Sequence, residues 1–192
     1  MPLKPILAFA HALLEEAVAF GDTVIDCTMG RGSDTLFLRS LVGESGRVFA
    51  FDIQEQAIEH TKTRLKQQNL ATGHIHLIQA SHADAAAHIP AEVHGSIRAA
   101  VFNLGYLPGG DKGICTAPHT TIAALKALPP ILAPGGIIVL VVYPGHPAGE
   151  VEAFEVLEYC RGIPREEMQV VTYQIWNNPN RPPFVIALEK KQ

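Results

Sequence analysis

A chain of 192 residues, 47% hydrophobic and 18% charged with a net charge of -4, fits one ordinary globular domain with a sizeable core. That balance argues against a broadly basic surface of the kind that coats nucleic acid, while leaving room for a local patch. Cys27, Cys115 and Cys160 are odd in number, lack metal-ligand spacing and are expected to stay reduced, and no apolar run reaches the ~18 residues of a membrane span.

In chain order, residues 5 to 19 carry Ile6, Phe9, Leu13, Leu14 and Val18 at helical spacing, and Gly21 closes that helix. Val24 to Cys27 form a first strand, followed by a turn with Gly30 and Gly32 and a helix that starts at Ser33-Asp34 and runs to Val42. Val48 to Phe51 form a second strand, Gln54 to Gln68 a polar-faced helix, His74 to Gln79 a third strand and Ala99 to Phe102 a fourth. After a loop rich in glycine and proline, from Leu104 to about Pro118, Thr120 to Leu132 form a helix that Pro134 and Gly135 stop. Ile137 to Tyr143 make a fifth strand and Glu150 to Cys160 a helix. Gln169 to Ile175 and Phe184 to Leu188 are two further strands with no room for a helix between them.

Strands alternating with helices imply an α/β fold with a mostly parallel sheet of seven strands, covered on both faces. The last two strands are too close for a parallel crossover and should form an antiparallel hairpin. Such sheets bind ligands beyond the carboxyl ends of their strands, at the topological switch point. Asp26, Asp52, Ser81 and Asn103 all fall at such ends.

The turn after the first strand lets a nucleotide-like cofactor approach the backbone closely, because glycine has no Cβ. Asp52 suits the two hydroxyls of an adenosine ribose, a feature that nicotinamide dinucleotides share. Gly30-Arg31-Gly32-Ser33-Asp34-Thr35 lacks the third small residue of the dinucleotide fingerprint, and Asp26 would repel a pyrophosphate. An acid there fits a cofactor with a cationic amino group, such as S-adenosylmethionine (SAM). Asp34 reads as a complement to the helix dipole.

Four motifs carry a resemblance. They are Asp26-Cys27-Thr28-Met29-Gly30-Arg31-Gly32-Ser33-Asp34-Thr35, Ala50-Phe51-Asp52-Ile53-Gln54, Asn103 through Lys112, and the stretch from Val139 through Tyr143 to Gly145-His146-Pro147. The chain resembles the YtqB-like family, long labelled rRNA methylases, within the Rossmann-like class I SAM-dependent methyltransferases. The match runs from Phe9-Ala10-His11 to Pro182-Pro183-Phe184. Characterised members methylate 5-(aminomethyl)-2-thiouridine at the tRNA wobble position, and the resemblance implies that activity, with the anticodon stem-loop as partner. It also implies that Asp26, Gly30 and Gly32 hold the methionine part of SAM, Asp52 and Gln54 the ribose, and that Ser81 and His82 flank the adenine. The family commonly has Asn-Gly-His where this chain has Arg31-Gly32-Ser33.

Asn103-Leu104-Gly105-Tyr106 looks like a variant of the Asn-Pro-Pro-Tyr motif of amino-group methyltransferases. The Asn103 side-chain oxygen, beside the cofactor, and the Leu104 carbonyl are placed to accept amine hydrogens and so aim the nitrogen lone pair. Tyr106 is a candidate to stack on the base, and Lys112 to touch a phosphate. Tyr143 and His146 face the same crevice, and His146 has the chemistry to assist proton removal. For His82 an exposed loop histidine is an equal alternative. His11 reads as a partly buried helix residue, with a cap over the cofactor site as the alternative, and Trp176 as a contact for RNA or a second subunit. The expectation is a cytoplasmic enzyme, one domain over 1–192, with no metal and a homodimer as an open option. A SAM-dependent enzyme acting on rRNA or a small-molecule amine, and a regulatory module without catalysis, are the alternatives.

Overall fold

The computed structural model describes residues 3–70, 73–107, 109–110 and 113–191. Seven strands form one sheet in the order β3-β2-β1-β4-β5-β7-β6. They are β1 (Thr23–Asp26), β2 (Arg47–Asp52), β3 (Ile75–Gln79), β4 (Ile97–Asn103), β5 (Leu132–Val142), β6 (Met168–Tyr173) and β7 (Phe184–Lys190). The first five are parallel, and β7 runs antiparallel to both β5 and β6, so the expected terminal hairpin is present.

Alternate residues of the central strands feed two cores, as the two-residue period of a strand requires. Val24, Val48, Ala99 and Val139 point to one face, where α1 (Ile6–Ala17), α2 (Ser33–Val42) and α3 (Glu55–Gln67) lie. Ile25, Phe49, Ala100 and Ile138 point to the other, covered by α4 (Ala85–His88), α5 (Pro118–Ala127) and α6 (Pro147–Arg161). Among the described residues no helix is long and apolar enough to cross a membrane.

Several boundaries differ from expectation. The helix expected over Thr120 to Leu132 starts at Pro118 and ends at Ala127, not at Pro134. Pro118 needs no amide hydrogen in the first turn, whereas Pro129 and Pro130 supply none to continue the helix, so the chain passes into a 3-10 turn over Pro129–Ile131. β5 then begins at Leu132. Its pairing jumps from Ile97↔Leu132 to Ala99↔Ile137, and the irregularity absorbs the Pro134-Gly135-Gly136 run that reads locally as a helix stop. α6 begins at Pro147 rather than Glu150, because His146 caps it. The 3-10 turn His82–Asp84 and the single-turn α4 escaped the periodicity reading, being too short to repeat.

In this order the chain reverses direction across the sheet between β1 and β4. The carboxyl ends of those two strands, Asp26 and Asn103, flank the switch point.

Candidate active site

A cavity of about 1020 Å³ opens over the carboxyl ends of β1, β2 and β4. Its floor is the turn after β1. Cys27 N donates to Val101 O at 2.8 Å and Met29 N to Phe51 O at 2.8 Å, which ties the turn to both neighbouring strands. Gly30 and Gly32 both have positive φ, +52° and +78°, for different ends. At Gly30 a Cβ would meet nothing closer than 3.7 Å, and the residue lines the cavity. At Gly32 a Cβ would lie 2.6 Å from Thr61 Oγ1 of α3. Gly32 therefore serves helix packing and does not line the cavity, unlike the cofactor contact expected of it.

Asp52 closes the turn from β2. Its Oδ2 accepts Gly30 N–H and its Oδ1 accepts Gln54 N–H, each at 2.9 Å. Each oxygen keeps a second lone-pair direction for a hydroxyl donor. Gln54 also lines the cavity.

Asp26 takes a different position from the expected direct contact. It is sealed from solvent, with Thr35 Oγ1 donating at 2.6 Å and Thr28 N at 3.1 Å, and it lies behind the cavity wall. Burial, then the negative charges of Asp34 and, more weakly, Asp52, push its carboxyl up to about 7 against the two hydrogen bonds. Of the three acids at this turn, Asp34 and Asp52 line the cavity, and their charges favour a cation there and disfavour a pyrophosphate.

Asn103 is fixed at both ends. Its backbone N–H donates to Thr28 Oγ1 at 2.7 Å, and its side-chain Nδ2 donates to Asp34 Oδ2 at 3.3 Å. A carboxylate accepts only, so this contact assigns the amide nitrogen to Asp34, and among the described residues nothing donates to Oδ1. Asp34, 8% exposed, is held in turn by His11 Nε2 on Oδ1 at 2.9 Å, and the His11 ring stacks on Phe37 at 3.9 Å. Asp34, which the sequence reading assigned to the helix dipole, is thus the partner of Asn103, and His11, assigned to packing, holds Asp34 from behind. A threonine two residues after the strand-end acid, with Asp34-Thr35 one turn later, was the available signal.

Leu104 is buried at the cavity wall, its N–H donating to Val141 O at 2.9 Å. Tyr106 is 40% exposed at the rim, with its ring edge-on to His146 at 5.9 Å. His146 Nδ1 accepts Gly149 N–H at 3.0 Å as the cap of α6. In the neutral ring the proton then sits on Nε2, so the lone pair that a proton acceptor needs is already engaged. Tyr143 also lines the cavity, and burial, then the charge of Asp34, raises its phenol so that it remains a donor.

Ser81 Oγ accepts Ala83 N–H at 3.2 Å and so caps the turn that carries His82. His82 is buried against Phe102, not an exposed loop residue, and it lines the cavity. Burial holds its ring down at about 4, partly offset by a hydrogen bond to the Cys27 backbone, and its buried Nε2 has no hydrogen-bond partner among the described residues. Lys112 lies outside the described residues.

The residues present fit an adenosine-bearing cation. Asp52 offers paired acceptors for a ribose, the neutral His82 ring a nitrogen without a partner among the described residues for a base, and Asp34 with Asp52 a negative field.

The family model described as "Putative rRNA methylase" matches residues 48–189. The tRNA (mnm(5)s(2)U34)-methyltransferase of Arabidopsis thaliana chloroplasts is 40% identical over 198 residues, spanning 98% of this chain and 70% of that protein. A crystal structure from Clostridium thermocellum with the rRNA-methylase description superposes with a TM-score of 0.93 at 41% identity, over 99% of this chain and 100% of that one. A Streptococcus mutans protein in complex with SAH, the demethylated form of SAM, matches with a TM-score of 0.87 at 34% identity, over 98% and 99% of the two chains. By the extent of these matches, the chain belongs to the rRNA methylase family of SAM-dependent methyltransferases.

Proposed function

We propose that this protein methylates the aminomethyl nitrogen on the wobble uridine of tRNA, giving 5-methylaminomethyl-2-thiouridine. The observation that carries the reading is the orientation of the Asn103 amide, whose nitrogen is spent on Asp34 and whose oxygen is left for an amine hydrogen. The name of the Arabidopsis relative supports the nucleoside.

SAM, when bound, supplies a methyl group already activated for displacement. The work left to the chain is to present a neutral amine with its lone pair directed. Asn103 Oδ1 accepts one amine hydrogen, which restricts rotation about the C–N bond, and such positioning is worth up to ~7–11 kcal/mol in ideal intramolecular cases. Asp52 and Gln54 on one side and His82 on the other fix the cofactor end of the cavity. Tyr106, exposed at the rim, offers a ring face for the base. Asp34 adds a negative charge one side chain away, which favours the positive charge that develops on the nitrogen as the methyl arrives; the methylated ammonium then releases a proton to solvent.

The test is incubation of the protein with SAM and tRNA that carries 5-aminomethyl-2-thiouridine, followed by mass spectrometry of the nucleosides. A mass gain of one methyl on the wobble nucleoside is expected. Unmodified tRNA with cofactor still bound, or methyl appearing only on ribosomal RNA or a small amine, overturns the reading.

A further inference from the structure

Glu152 is a carboxyl group buried on the inner face of α6, 2% exposed, for which the chemistry above has no use. Among the described residues it forms no salt bridge, and its oxygens accept from two threonines. Thr121 Oγ1 of α5 donates to Oε1 at 2.7 Å, and Thr116 Oγ1 donates to Oε2 at 2.6 Å. The second contact continues further. Thr116 Oγ1 also accepts Gly105 N–H at 2.8 Å, and Thr116 N–H donates to Gly105 O at 2.8 Å. Beside this pair, Tyr106 and Cys115 form an isolated antiparallel bridge.

The chain Gly105 N–H, Thr116 hydroxyl, Glu152 carboxyl has one direction. Because the carboxyl accepts, the Thr116 hydroxyl spends its hydrogen there and must turn a lone pair to Gly105. Gly105 has φ +133°, with nothing within 4 Å of where a Cβ would stand. No side chain packs where a Cβ of Gly105 would stand, so at this residue the backbone is held by hydrogen bonds, between the buried side chains of Leu104 and Leu107. On the amino side Asn103 is held by Thr28 and Asp34, and Gly105 is held by Thr116 at both its N–H and its carbonyl.

We propose that Glu152, acting through Thr116, is a positioning residue that sets the Asn103–Tyr106 turn for acceptance of the amine. The assignment rests on the reading that this turn presents the acceptor. It gives the buried carboxyl a purpose that packing alone does not, since an apolar residue would fill the same space without the cost of burying a polar group.

Two isosteric variants separate positioning from plain stability. Thr116→Val and Thr121→Val each remove one hydroxyl from Glu152, but only the first cuts the link to Gly105. Both are expected to lower the melting temperature by similar amounts. Thr116→Val alone should speed amide hydrogen exchange at Gly105 by at least about tenfold and lower kcat by roughly ten- to hundredfold, with the Kd for SAM within about twofold of wild type. Thr116→Ser, which keeps the hydroxyl, should restore both readings. Wild-type exchange and kcat in Thr116→Val, or equal losses in Thr121→Val, overturn the proposal. The exchange comparison needs no substrate, so a wild-type protein inactive on tRNA would remove the proposed reaction while the brace is still judged by Gly105.

Discussion

At Asn103 a single hydrogen bond decides which end of a symmetric-looking side chain is left to face the cavity. Asp34 is the residue that chooses, and Asp34→Asn probes that choice with almost no change in volume. An amide at 34 can present its own NH2 to Asn103, which would then turn its oxygen inward and its nitrogen to the cavity, where it repels an amine hydrogen. The expected result is a fall in kcat of about ten- to hundredfold, read as a single-turnover rate at saturating SAM and RNA. An unchanged rate would show that the Asn103 orientation does not depend on the charge at 34. Asp26 acts at longer range. Its carboxyl sits at about 7 in the folded protein against an ordinary 3.8, because burial and the charge of Asp34 disfavour ionisation. Between those values the native state holds a proton that the unfolded chain has released. Stability from this group is therefore fully present below about pH 4 and is lost as pH rises through about 7. Urea midpoints should fall from pH 5 to pH 7.5 more in wild type than in Asp26→Asn, and parallel curves for the two proteins would remove Asp26 as the cause.

Elements divide by how local their determinants are. The β1–turn–α2 unit was readable because its signals are contiguous: an apolar run, a strand-end acid, two glycines with positive φ and a helix start. The antiparallel pairing of β6 with β7 followed from the gap between them alone. What the sequence hid was non-local. The need for glycine at 32 arises from Thr61 on α3, 29 positions away in the chain, and nothing near Gly32 announces it. The path of Pro129 through Gly136 was misread because two proline signals compete for the same helix end, and the nearer one wins by removing the amide hydrogen first. The site shows the same pattern. Its strand-end residues were legible from position, while the partners that orient them, His11, Asp34 and Thr28, are set by tertiary contacts across 23 to 75 positions.

At the scale of the whole molecule, the proposed reaction would have a chain of net charge -4 bring a polyanion to a cavity lined by Asp34 and Asp52. Long-range attraction cannot do this, so under the proposed reaction the cations that meet the RNA would be few and local. Arg31 and Arg181 both line the cavity. Arg181 already pairs with Glu150, and Arg31 has its carbonyl held by Arg64 Nη1 at 3.0 Å. Trp176, 86% exposed between β6 and β7, offers a ring for stacking, an attraction that salt screens little. A binder built this way releases few counterions. With roughly 0.7 of a counterion per phosphate contact on a single strand, two contacts would raise KM for tRNA by about sevenfold between 50 and 200 mM salt. A steady-state titration over that range checks the figure. A KM indifferent to salt would favour an uncharged small amine as acceptor, and a rise beyond about a hundredfold would demand a basic surface that this composition does not supply.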